Sequence, residues 1–139
     1  MSGETNLGVL LKSMKPVLRE GEFVFITTRR SLLEVAPLEP LGLFHEEEGL
    51  TLILPREKAE AAGLPYTAVF RMLTLSVHSS LEAVGFLAAI TNRLAARGIG
   101  VNPVSAYFHD HLFVPSARAE ESLALLVELA RGDASSGRT

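Results

Sequence analysis

LTLSVHSSLEAVGFLAAITNRLAARGIGVNPVSAYFHDHLFVP, residues 73–115, carries the pattern that decides the fold. From Ala68 to Val77 the chain alternates, with Leu73, Leu75 and Val77 on one face and Met72, Thr74 and Ser76 on the other, which predicts a strand. Ser79 or Ser80 is placed to cap a helix that runs to Arg97, and Gly98 closes it. Val101 to Tyr107 reads as a second strand, His109-Asp110 as a tight turn and His111 to Val114 as the returning strand. Ser116 then caps a last helix with Leu123, Leu126, Val127 and Ala130 along one stripe. The order is βαββα, one strand short of the split βαβ, or ferredoxin-like, arrangement.

The N-terminal half has similar parts in a different order. Leu7, Leu10, Leu11 and Met14 sit at helical spacing, with Thr5 as the expected N-cap and Pro16 and Gly21 after the helix. Glu22 to Thr28 is a β-rich run whose centre, Phe23-Val24-Phe25-Ile26, is apolar on both faces, as an inner strand requires. Arg29 to Pro40, with two prolines, reads as a connecting loop. Leu41 to His45 and Leu50 to Leu54 are short strands around the turn Glu46-Glu47-Glu48-Gly49, and Pro55 opens a helix to Ala62 that Gly63 stops.

This half lacks an opening strand of its own, yet it can supply the strand the other half is missing, so the halves are able to exchange edges. The expected division is residues 1–66, residues 67–131 and a small, polar, disordered tail at 132–139. The fold class is α+β, an antiparallel-rich sheet with helices packed on one face. Ala83 to Ile90 is apolar or glycine throughout, more than a helix covering a sheet needs. The excess predicts a second contact, with the other half or with a second subunit in a homodimer.

Composition narrows the function. The chain has 139 residues, 47% of them hydrophobic, enough to bury a core without metal or disulfide staples. With no cysteine, a disulfide framework, a thiolate metal cluster and a cysteine nucleophile are excluded. A net charge of -3 argues against nucleic acid as the main partner, and Val101 to Tyr107 offers one aromatic and no basic residue to stack or neutralise RNA. Ala83 to Ile90 falls far short of the roughly 20 apolar residues of a membrane span. Met1 to Leu11 lacks the marks of a signal peptide, so a soluble cytoplasmic protein is expected.

Few residues carry chemistry. Val77 to Gly85 leads into a helix, where free backbone N–H groups and the helix dipole favour an anion such as an α-carboxylate. Ser79 and Ser80 add hydroxyls, and Gly85 leaves room for a ligand or a second backbone; an ordinary serine cap with a packing glycine explains the same residues. Asn102 and Ser105 are expected on the strand beside that loop, where an asparagine amide could bind an amino or carboxyl group or simply satisfy loop backbone. His109 and His111, with His78, suggest a metal, but a turn at His109-Asp110 breaks the alternation and no third ligand is near in sequence. Glu46-Glu47-Glu48 is a solvated turn. There is no nucleophile elbow and no phosphate loop, since Gly98-Ile99-Gly100 ends a helix, so no catalytic residue, no metal and no cofactor is expected.

Residues 73–115 resemble the core of an ACT domain: strand, short loop, helix with an early glycine, a V-N entry, strand, turn, strand. His78 to Gly85 and His109-Asp110-His111 are the most specific parts. The phrases LLKSMKPVL (10–18), GEFVFIT (21–27), FHEEEGLTLILP (44–55) and AAGLPY (61–66) are similar to small stand-alone tandem ACT proteins. The resemblance implies two ACT-like, βαββαβ-type halves and a regulatory, non-enzymatic protein that binds an amino acid at a domain or subunit interface. It places the ligand on the loop His78, Ser79, Ser80, Leu81, Glu82, Ala83, Val84 and Gly85, where many amino-acid-binding members carry an Asp or Asn and this chain has serines. The competing expectation is an interaction or oligomerisation module without a small ligand.

Overall fold

The computed structural model describes residues 6–76 and 85–132. The expected caps Thr5, Ser79 and Ser80, the loop residues His78 to Val84 and the tail beyond Gly132 lie outside the described residues. The chain divides into two compact units, one formed by residues 20–71 and one by the chain on either side of it.

In the unit built from both ends of the chain, the elements are α1 (Leu7–Ser13) and β1 (Pro16–Leu18), then, after the intervening unit, β5 (Phe70–Leu75), α4 (Phe86–Ala95), β6 (Asn102–Ser105), β7 (Asp110–Pro115) and α5 (Ala119–Arg131). Strand β7 lies between β5 and β6, which α4 joins, and β1 pairs antiparallel with the other side of β5. The register Pro16↔Leu75, Val17↔Thr74, Leu18↔Leu73 supplies the strand that βαββα lacks. Leu73 and Leu75 on β5 and Leu112 and Val114 on β7 meet Phe86, Ile90 and Leu94 of α4 and Leu125 and Leu126 of α5. Leu10 and Met14 of α1 join the same core, 0% and 2% exposed. Helix α1 starts one residue later than expected, because Asn6 accepts the hydrogen bond from Val9 N–H.

Three local expectations need correction here. The hairpin turn is not His109-Asp110: Ala106 N–H donates to the His109 carbonyl at 3.0 Å, so the chain turns at Tyr107-Phe108 and β7 starts at Asp110. Ser116 heads a short 3-10 turn to Arg118, and α5 begins at Ala119; of the expected stripe Leu126 is buried and Leu123 and Ala130 pack half-buried against the same core, which also takes in Ser122 and Leu125. Helix α4 buries only Phe86, Ile90 and Leu94, one residue per turn, while Ala88 is exposed. Its further apolar contact comes from α5, tied to it by the Arg93–Glu128 ion pair at 2.9 Å, and from α1, which lies in the N-terminal half as the sequence divides it, one of the two expected sources of a second contact.

Residues 20–71 repeat the plan with β2 (Phe23–Thr28), α2 (Leu32–Val35), β3 (Gly42–Glu46), β4 (Gly49–Pro55) and α3 (Arg56–Ala61). The strand order is β3-β4-β2, and Phe23 at the start of β2 pairs with Phe70, which also belongs to residues 20–71. The core is Val24, Ile26, Leu50, Leu52 and Leu54, covered by Val35, Ala59 and Leu64. The turn into β4 requires glycine, since a Cβ on Gly49 would stand 2.6 Å from the Thr28 carbonyl oxygen. Residues 29–40 are not simply a loop: Ser31 and Glu34 form a reciprocal capping box that starts the one-turn helix α2, and a 3-10 turn follows at Ala36–Leu38.

Candidate functional site

Gly85 is the N-cap of α4 and adopts φ +96°, a left-handed conformation. A Cβ there would touch only Leu7 Cδ2, at 3.9 Å, so neither helix packing nor close approach within the described residues demands glycine. The backbone conformation does. Gly85 brings no side chain to cap the helix, and the first turn of α4 carries no acidic residue. The positive end of the macrodipole is therefore uncompensated by α4 itself.

The corresponding corner of the other unit is filled. Between β2 and α2, the Ser31 hydroxyl accepts from Glu34 N–H at 3.2 Å, and Ser31 N–H donates to the Glu34 carboxylate at 2.8 Å. That backbone N–H first, then the hydroxyl, holds the Glu34 carboxyl below the usual carboxylate range. This helix start answers its own donors.

Asn102 and Ser105 are exposed on β6, opposite Phe113 and Asp110 of β7. β6 is an edge strand, where Pro103 costs no ladder bond, and β7 separates it from β5. Of the ten residues the sequence assigns to a ligand, then, Gly85, Asn102 and Ser105 are within the described residues.

A second group of polar side chains was not foreseen. On the sheet face away from the helices, Arg19 Nε donates to Thr74 Oγ1 at 3.1 Å, and Thr74 Oγ1 lies 3.0 Å from His111 Nδ1. Because the turn falls at Tyr107-Phe108, His109 and His111 share strand parity, and their rings stand 6.4 Å apart at 90°. The available signal was Thr74, a polar residue on the second face of β5, together with the i, i+2 histidines. In the other unit Arg56, at the start of α3, ties together Glu22 just before β2, Glu60 of α3 and Tyr66 of the following loop, with Glu22 at 2.9 Å. These carboxylates and the phenol push the Arg56 pKa up, Glu22 contributing most, but the cluster is solvent-exposed and pins α3 rather than forming a site. No group of three His, Asp or Glu among the described residues could hold a metal ion.

Two profiles of the ACT domain family match the chain in tandem, one over residues 2–71 and one over residues 68–128. The chain belongs to the ACT domain family. Among solved structures, this ACT protein is similar to a protein of unknown function from Vibrio cholerae, described as a possible transport protein. The two are 47% identical with a TM-score of 0.83, over 89% of this chain and 95% of that one. It shares its fold with a protein from Agrobacterium tumefaciens at 16% identity and a TM-score of 0.71, over 84% of this chain and 89% of that one. It also shares it with the ligand-free regulatory subunit of aspartate kinase from Thermus thermophilus, at 8% identity and a TM-score of 0.61, over 86% and 97%. No curated protein matches. Each unit is α+β and ferredoxin-like, and no helix among the described residues is long and apolar enough to cross a membrane.

Proposed function

We propose that this ACT protein is a non-catalytic cytoplasmic regulator that binds an amino acid or similar small zwitterion at a subunit interface of a homodimer. The ligand's carboxylate would sit on the loop His78 to Gly85 at the start of α4, with Asn102 and Ser105 as further contacts. The observation that supports this reading is the contrast between the two ACT units. The helix that follows the first strand is sealed by Ser31 and Glu34 in one, and begins at a glycine with no acidic first turn in the other. Family membership supports the regulatory role. The test is thermal unfolding of the purified protein against a panel of the twenty amino acids and common metabolites. A ligand at 100 times its dissociation constant adds about 2.7 kcal/mol and raises Tm by several degrees. A flat panel overturns the reading.

One observation favours a protein-interaction module instead. Phe44, Tyr107 and Phe108 are 69%, 85% and 67% exposed, and Tyr107 and Phe108 stack edge-to-face at a hairpin tip. Solution mass against concentration, with and without amino acids, separates the two readings: a dimer indifferent to every ligand supports the module.

A further inference from the structure

Strand β3 ends the strand order of residues 20–71 and, among the described residues, has a strand neighbour on one side only, β4. Two hydrogen bonds fix which backbone groups β4 turns toward it. Leu41 N–H donates to the Ile53 carbonyl at 2.8 Å, so Ile53 directs its carbonyl toward β3. Arg56 N–H donates to the Glu22 carbonyl at 2.9 Å, two residues beyond the pair Leu54↔Val24, so Leu54, Leu52 and Leu50 turn toward β2. Thr51 and Ile53 therefore bond β3 through their partners Phe44 and Gly42. Leu43 and His45, between and after them, direct their N–H and C=O groups away from β4. Side chains alternate as well: Leu43 packs on the core under the helices, whereas Phe44 lies on the opposite face and is 69% exposed.

An open edge is ordinarily blunted by proline or lysine. In the other unit the edge strand β6 is four residues long and carries Pro103. Strand β3, Gly42-Leu43-Phe44-His45-Glu46, has neither. It also fits a copy of itself. Antiparallel pairing about a two-fold axis at Phe44 sets Leu43 opposite the partner's His45, and His45 opposite the partner's Leu43, in reciprocal hydrogen-bonded pairs that use the outward groups. Phe44 then meets the partner's Phe44 in a pair without hydrogen bonds, where side chains come closest, and each ring covers the other. Gly42 stands opposite the partner's Glu46 and leaves it room. The acidic turn Glu46-Glu47-Glu48 sets the direction. Parallel strands would bring two such turns together, whereas antiparallel strands hold the two Glu46 residues about 14 Å apart, beyond the Debye length at physiological salt.

We propose that β3 is a dimer interface, at which two copies of this chain pair antiparallel about Phe44 and join the sheets of their residues 20–71. The pairing rests on the homodimer of the reading above and not on its amino acid. A peptide from another protein could use the same backbone groups, but β3 itself supplies the aromatic ring that covers Phe44.

The chain has no cysteine, so a single introduced thiol reports on the same position in the partner. In the proposed pair the two copies of residue 44 have Cα atoms about 4.5 Å apart, within reach of a disulfide, and the two copies of residue 45 are about 9 Å apart, beyond it. Under mild oxidation Phe44→Cys should form a covalent dimer about tenfold faster or more than His45→Cys or Tyr107→Cys. Solution mass from about 1 μM to about 1 mM should show the dimer of the unaltered chain. Phe44→Lys sets like charges opposite each other and His45→Pro removes an outward N–H, so each should raise the dissociation constant about tenfold or more, while Tyr107→Ser leaves it unchanged. Similar disulfide rates at residues 44, 45 and 107 overturn the pairing. So does a dimer that Phe44→Lys leaves intact, since the homodimer then uses another surface. A chain that is monomeric throughout overturns the pairing and the homodimer together and leaves the edge to a peptide of another protein. Should His45→Pro fail to fold, the disulfide rates decide.

Discussion

Leu10→Ala is a local change that should be felt far away in sequence. Leu10 is 0% exposed and lies in the core with Leu73, Leu75, Phe86 and Ile90, the last of which is 80 residues further along the chain. Truncating a fully buried leucine removes its transfer free energy and leaves a cavity, together about 3 kcal/mol. For a protein of this size that lowers Tm by about 10 °C. Where the loss falls is the sharper test. Because α1 and β1 belong to the core of the unit formed by both chain ends, amide hydrogen exchange should accelerate in β5, β7 and α5, while the amides of β2 and β4 keep their protection. Val9→Ala is the control: Val9 is 49% exposed on the same helix and should cost less than about 0.5 kcal/mol. A loss below about 1 kcal/mol for Leu10→Ala, or one confined to β2–β4, would refute the assignment of α1 to this core.

Other substitutions probe the turns and the histidine. Gly49→Ala should destabilise by about 2 kcal/mol or more, read by urea unfolding, because its Cβ would meet the Thr28 carbonyl at 2.6 Å. Gly85→Ala meets no obstacle but must hold φ +96°, so its cost should be about 1 kcal/mol, with the β-carbon itself tolerated. His111 has a folded pKa below its unfolded value, so the unfolded chain takes up the proton first: stability holds above pH about 6.5 and falls as the pH drops through the folded pKa. His111→Asn should flatten that acid limb in urea unfolding at a series of pH values; an unchanged limb counts against a buried, neutral His111.

What could be read in the sequence, and what could not, follows from how local each signal is. The alternation of Leu73 and Leu75 with Met72 and Thr74 placed β5, because both faces of that strand are specified by neighbours on the chain. The missing strand could be inferred but not located: β1 is three residues long and opens with a proline, too short to show a period. Helix α2 was legible and passed over, since Ser31-Leu32-Leu33-Glu34 is a capping-box sequence hidden among prolines. The turn at Tyr107-Phe108 defied its own residues, two aromatics where Asp110 offered ordinary turn chemistry. That one-pair displacement decides whether His109 and His111 share a face. The Arg19–Thr74–His111 line could not be read locally, because its bonds join residues 55 and 37 positions apart.

The two ACT units share a βαββα run, to which one adds α1 and β1, but treat one corner of it in opposite ways, and that asymmetry limits how any ligand can act. An effector shifts an equilibrium only by its differential affinity for the two states. Where Ser31 and Glu34 already satisfy the helix start, an incoming carboxylate must displace a bond to gain one, so the net gain is small. Where the helix starts at Gly85 without an acidic first turn, the gain is not offset in that way. A carboxylate bound there should therefore slow amide exchange in α4, β5 and β7 and leave β2 and β4 unchanged. Equal protection in both units would mean that the ligand does not distinguish the two helix starts, and that the capping box is no barrier.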